Sequence, residues 1–143
     1  MKIAVIDGHG GGIGRAIIDK IRAAFGEEIH IIALGTNALA TAAMLKAGAN
    51  EGATGENAIA VNVENVDIIM GSVAILAVNG FTGELTEKMV AAIGKSRAEK
   101  VLIPLNKCNI TLAGVVNKPL PHYIDDAINI IGNLCGCKKI VET

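Results

Sequence analysis

The sequence predicts a three-layer α/β domain, a mostly parallel sheet with helices on both faces. Strand-like and helix-like segments alternate through the first hundred residues, the order that buries a parallel sheet between helices. Five glycines fall within the seven positions Gly8–Gly14, between an apolar run and an amphipathic helix pattern. Hydrophobic residues make up 51% of the chain and aromatic ones only 2%, so the core is built from Ile, Val, Leu and Ala.

Each element follows from its own residues. Lys2–Ile6 is a short β-branched and apolar run, read as a buried strand. After the glycines, Ile13, Ile17, Ile21 and Phe25 recur every four residues, with Ala16 and Ala24 beside them. That spacing is one face of a helix, and Gly26 is placed to end it. Ile29–Leu34 is the second strand, followed by Gly35, Thr36 and Asn37. Thr36 or Asn37 can cap a helix over Ala38–Ala47 that stops at Gly48. Ala49–Asn57 reads as a polar, glycine-rich loop, with Thr54 as the cap of a helix over Glu56–Val63. Val66–Met70 is the third strand. Ser72–Val78 is either another strand or a short buried helix, because periodicity does not separate the two in so short an apolar run. Leu85, Met89, Val90 and Ile93 mark a helix with Glu84 and Glu87 near its positive end. Val101–Leu105 and Ile110–Val116 read as strands around the turn Asn106–Asn109. Pro121 opens a last helix whose apolar face is Ile124, Ala127, Ile128, Ile131 and Leu134.

The bulk properties narrow the class. A chain of 143 residues fits one domain of the commonest size, roughly 100–150 residues. No internal repeat, low-complexity tract or linker divides it, so residues 1–143 are read as a single domain. That length buries about 68–70% of the unfolded surface without a disulfide or metal staple. Charged residues are 19% of the total, and the apolar surplus argues against disorder. The net charge is −1, with Lys and Arg scattered singly rather than in a basic stripe, which speaks against nucleic acid as a partner. The apolar run before Asp7 is too short for a signal-peptide core. The longest nearly uncharged stretch, between Asp67 and Asn79, falls short of the ~20 residues that span a bilayer. No membrane partner is expected. Three cysteines, an odd number, fit a reducing cytoplasm and free thiols. So high an apolar content in a small chain also points to a homo-oligomer with one face covered.

The first turn carries the functional signal. In I-D-G-H-G-G-G-I-G a strand ends, glycines follow and a helix begins at once. Glycine there permits the tight turn, the approach of backbone N–H groups to a phosphate and close packing of helix on strand. The helix start offers N–H groups and a partial positive charge to an anion. Arg15 either adds charge to this site or points to solvent. The spacing is not G-x-G-x-x-G, since Ile13 stands at the sixth position from Gly8, and no G-K-[ST] follows to make a P-loop. It resembles the T-G-x-x-x-G-I-G turn of short-chain dehydrogenases, with Asp7 where that family has Thr. Their Tyr-x-x-x-Lys pair is absent: the one tyrosine is Tyr123, and Ala127 stands where the Lys would be. The chain is also much shorter than those enzymes. Beyond the second strand no acidic residue is available for an adenosine ribose, which disfavours NAD and leaves NADP or another nucleotide open as cofactor.

In a parallel α/β sheet, ligands bind beyond the carboxyl ends of the strands. The segments expected to gather there are Gly8–Gly14, Gly35–Asn37, Asn79–Thr82 and Asn106–Asn109. The residues expected to bind are Gly8, His9, Gly10, Gly11, Gly12, Ile13, Gly14, Gly35, Thr36, Asn37, Asn79 and Asn106. Cys108 lies in the same region, and its neighbour Lys107 can favour the thiolate, making Cys108 the candidate nucleophile. The dull alternative is a turn cysteine with structural meaning alone. Cys135 and Cys137 are two ligands where zinc usually takes four, so no metal site is expected. His30 reads as a strand residue and His122 as an exposed residue at the last helix start. Glu51, Glu56 and Asn57 form a polar group that helix capping explains as well as function does.

End to end, the chain resembles a family numbered 3842 among the domains of unknown function. The likeness rests on I-D-G-x-G-G-G-I-G from Ile6, A-L-G-T-N-A-L-A-T from Ala33 and A-G-A-N-E-G-A-T-G-E-N-A from Ala47. It continues in G-E-L-T from Gly83, I-P-L-N-K-C-N from Ile103 and P-L-P-H from Pro119. The resemblance implies a small Rossmann-like protein of anaerobic bacteria and no particular reaction. Function therefore rests on the residues. They favour a nucleotide- or dinucleotide-phosphate-binding protein, a sensor or accessory factor whose partner is a small phosphorylated ligand. Two alternatives stay open: a small enzyme acting through Cys108 on a phosphorylated substrate, and a structural or assembly subunit that binds nothing.

Overall fold

The computed structural model of the protein describes residues 1–105, 108–137 and 139–140. Five parallel strands form one sheet in the order β3-β2-β1-β4-β5. They are β1 Lys2–Asp7, β2 His30–Gly35, β3 Glu51–Thr54, β4 Ile68–Ser72 and β5 Glu99–Ile103. Five α-helices connect and cover them: α1 Gly12–Phe25, α2 Ala38–Lys46, α3 Glu56–Asn62, α4 Glu87–Lys95 and α5 Leu120–Cys135.

Strand alternation sorts the core into two layers. On one face Ile3, Val5, Ile31 and Ala33 pack with Ile17, Ile21 and Phe25 of α1 and Ile124, Ile128 and Ile131 of α5. On the other, Ala4, Ile6, Ile32 and Leu34 pack with Ile59 of α3 and Met89 and Ile93 of α4. The three-layer parallel architecture expected from the residue pattern is thus the observed one. Asn37 is the cap of α2: its side-chain oxygen accepts from the Ala40 amide at 2.8 Å. Gly26 ends α1 with φ 61°, a conformation that glycine adopts without strain.

Several expectations need correction. Glu51–Thr54 is a strand, not part of a polar loop, and pairs in parallel with β2 at the sheet edge. Its residues are mostly exposed, so no apolar alternation marks it. Gly55, at φ 100°, takes the cap position of α3, while the Thr54 hydroxyl bonds that of Thr41 at 2.8 Å. Strand β4 lies two residues later than Val66–Met70 and ends at Ser72. The ambiguous run after it is a 3₁₀ turn, Val73–Leu76, with Ser72 accepting from the Ala74 amide. Thr86 caps α4, and Glu84 lies outside that helix.

Ile110–Val116 is not a strand. Gly114 breaks it at φ 84°, and Leu112, Val115 and Val116 are exposed rather than packed on a sheet. The segment is pinned instead by Tyr123, whose hydroxyl donates to the Val116 carbonyl at 2.6 Å and accepts from the Lys118 amide at 3.1 Å. Cys135 and Cys137 are joined as a disulfide rather than standing as free thiols, and Cys108 is free and exposed. Among the described residues no helix is long and apolar enough to cross a membrane.

Candidate functional site

The strand order sets where a ligand can enter. From β1 the chain builds outward to β2 and β3, then crosses to β4 and β5 on the other side. The connections therefore diverge between β1 and β4, the switch point that opens a crevice at the carboxyl ends of the strands. A cavity of about 470 Å³ lies there, walled by Gly8, His9, Gly10, Gly12 and Ile13 from the first turn and by Ser72 at the end of β4. Phe81, Thr82 and Cys108 complete the wall, which is mostly apolar. A hollow of similar size, about 490 Å³, flanks the edge strand β5 near Val115, Tyr123 and Ile130. It lies away from the glycine turn, so the switch-point cavity is the better candidate.

Asp7 forms the floor of the cavity. The register pairs Val5 with Met70, and two residues further on Asp7 and Ser72 end the neighbouring strands side by side. Both are buried, at 4% and 2% exposure. The Asp7 carboxylate accepts from the Gly8 amide at 2.8 Å and from the Gly14 amide at 2.7 Å. Burial pushes its carboxyl above the ordinary value, and the amide hydrogen bonds from Gly14, Gly8 and Ile13 pull it back only in part. Of the N–H groups that the glycine turn and helix start are expected to offer an anion, those of Gly8 and Gly14 are therefore taken. A carboxylate of the chain already holds them. Among the described residues, none accepts from the amides of Gly10 or Gly12, and a Cβ added at either glycine would meet nothing within 4 Å.

The remaining glycines serve packing. Gly11 has φ 76° and its α-carbon faces α2, where a Cβ would come within 2.9 Å of the Ala40 carbonyl oxygen. A Cβ on Gly14 would stand 2.5 Å from the sulfur of Met44. Asn79, at φ 67°, closes a turn: its amide donates to the Leu85 carbonyl and its own carbonyl accepts from Gly83. Asn106 and Lys107 lie outside the described residues.

Gly35, Thr36 and Asn37 stand at the end of β2, on the far side of β1 from the cavity, and there the structure supplies an acid that local sequence does not. The Glu84 carboxylate reaches over β1 and accepts, on one oxygen, from the Thr36 hydroxyl at 2.5 Å, the Asn37 amide at 2.9 Å and the His9 backbone N–H at 3.0 Å. Desolvation would raise its carboxyl, but hydrogen bonds from Thr36, His9 and Asn37 prevail and hold it below the ordinary value. The segment bearing Glu84 is wound tightly, with Phe81 and Thr82 both at φ 57°. His9 (φ 50°) and Cys108 (φ 140°) are also left-handed. Four non-glycine residues of the cavity wall thus hold a costly backbone conformation, a pattern that gathers at functional sites. The His9 ring contacts the Thr82 hydroxyl at 3.1 Å and packs on Phe81 with ring centres 5.5 Å apart. Phe81 and Thr82 belong to the segment Asn79–Thr82 that the sequence places at this edge, whereas Ser72 and Glu84 are site residues that sequence reasoning missed.

A parallel sheet in this order, with a glycine turn and a cavity at its switch point, defines a Rossmann-like α/β protein. The chain belongs to the family described as a domain of unknown function, DUF3842, whose model matches residues 2–136. The crystal structure of a dodecameric FMN-dependent UbiX-like decarboxylase from Escherichia coli O157:H7 is similar at a TM-score of 0.44 and 11% identity, covering 100% of this chain and 99% of that one. At that distance the likeness says nothing of ligand or reaction. No curated protein matches the chain.

Proposed function

We propose that this protein is a binding module for a small phosphorylated ligand of the nucleotide class, acting as a sensor or accessory protein. The observation that carries the reading is the switch-point cavity itself: an apolar wall for a base or ring beside the Gly10 and Gly12 amides, which no described residue occupies. Asp7 and Glu84 add two carboxylates close by, so the site suits one phosphate better than a run of them. Cys108 is read as part of the wall. No described base stands within hydrogen-bonding reach of it, which favours binding over nucleophilic catalysis.

A thermal-shift screen of mononucleotides, dinucleotides and sugar phosphates tests this. Ligand at 100 times its dissociation constant adds about 2.7 kcal/mol to stability. Gly12→Asp has room for its side chain and places a negative charge at the rim, so it is expected to fold normally and to abolish the shift. A screen in which no phosphorylated compound moves the melting temperature overturns the reading. Cys108→Ser is expected to leave ligand affinity within about two-fold, because backbone amides hold the phosphate. Alkylation of Cys108 that ligand blocks, together with turnover lost in the serine variant, would favour the enzyme instead.

A further inference from the structure

We propose that the point where the Thr36 hydroxyl, the Asn37 side-chain amide and the His9 backbone N–H converge is an anion site for a carboxylate or phosphate group, which Glu84 of the chain itself fills until such a group replaces it. This goes beyond the switch-point cavity, since its donors Thr36 and Asn37 lie on the other side of β1, with His9 shared between the two. Three donors meeting at one oxygen form the arrangement that stabilises a localised negative charge.

Each donor is held in place by bonds that do not involve Glu84. Asn37 caps α2 through its oxygen and donates to the His9 carbonyl at 2.9 Å. The Thr36 amide donates to the Asp7 carbonyl at 3.0 Å. His9 sits in the glycine turn, where Gly11 donates to the Gly8 carbonyl at 2.9 Å. The cradle therefore keeps its shape when the carboxylate leaves, as a preorganised anion site must.

On the other side, only the Glu84 side chain has to leave, because its backbone is held by the Glu84 N–H donating to the Phe81 carbonyl and by buried Phe81 and Leu85. Asn79, Phe81 and Thr82, all with left-handed φ, and Gly83 at φ 90° precede it in the chain. Gly8 makes the arrangement possible: a Cβ there would stand 2.8 Å from Glu84 Oε1 and 2.6 Å from both Phe81 and Thr36 Oγ1. A side chain tethered at its own site competes with any free anion, so the intact protein is expected to bind free anions weakly.

The test removes the tethered competitor. Wild type and Glu84→Ala are titrated with sodium acetate and with inorganic phosphate, against chloride at matched ionic strength, while melting temperature and the His9 amide NMR signal are followed. The expected result is a saturable rise in stability and a shift of the His9 signal in Glu84→Ala, at anion concentrations at least ten-fold below those that act on wild type. A response to acetate alone identifies a carboxylate ligand, and one to phosphate identifies a phosphate group. Adding Thr36→Val to Glu84→Ala is expected to remove the response. An equal response in wild type and Glu84→Ala, or no saturable response in either, overturns the proposal. Should Glu84→Ala fail to fold, Glu84→Ser, whose side chain is too short to reach the three donors, carries the same comparison with the same overturning result. Nucleotide binding by the wild-type cavity is read separately, so failure here leaves that reading standing.

Discussion

Replacing Asp7 by alanine is expected to lower the unfolding free energy by about 3 kcal/mol. The carboxylate accepts from the amides of Gly8 and Gly14 in a buried position. Alanine leaves both donors without a partner, and each unpaired buried donor costs roughly 1–3 kcal/mol. Asp7→Asn is expected to fall between, because its oxygen satisfies one amide while its NH₂ faces the other donor. The pH dependence separates charge from hydrogen bonding. Burial raises the Asp7 carboxyl above its ordinary value of 3.8, so ionisation is harder in the folded chain than in the unfolded one. The stability that follows from this shift is fully present below pH 3.8 and is lost as pH rises through the folded value. The advantage of wild type over Asp7→Asn should therefore be largest in acid and narrow on going toward neutrality. Urea unfolding of the three chains across that range checks both statements. A loss below about 1 kcal/mol for Asp7→Ala would mean that solvent reaches those amides.

The sequence shows much of the sheet and half of the site, for a physical reason. β1, α1, β2 and α2 announce themselves because each buries a periodic apolar face, and periodicity is a local property. β3 is an exposed edge strand, and E-G-A-T has no face to bury. Ile110–Val116 carries the β-branched residues of a strand without a neighbour to pair with, so composition misleads there. The glycine turn is legible because its residues are contiguous. Glu84 is not, since 48 residues separate it from Thr36 and 75 from His9. Only the fold brings its carboxylate to the end of β2. Ser72 had one available signal: a strand read to its true end would have put a hydroxyl beside Asp7 at the switch point.

Gly35→Ala is expected to destabilise the protein by about 3 kcal/mol, the upper end of the range for overpacking. Gly35 ends β2, and sequence reasoning assigns it to the ligand. The structure gives it a different duty. A Cβ there would stand 2.2 Å from Thr41 Oγ1 and 2.7 Å from both the Asn37 carbonyl oxygen and the Thr41 amide nitrogen. Rotating Thr41 relieves only the first contact, and it breaks the bond from that hydroxyl to Thr54. The other two are backbone atoms of the first turn of α2, which Asn37 holds by capping Ala40. Relief therefore means moving the helix start away from β2. The same shift drags Asn37 and Thr36 from the Glu84 carboxylate, so the melting loss should come with weaker protection of the His9 amide from exchange. Gly12→Asp is the reference, because its side chain enters open space and should cost less than about 0.5 kcal/mol. If Gly35→Ala proves as mild as Gly12→Asp, the close fit of α2 against the end of β2 is wrong, and the cradle that depends on it loses its rigid side.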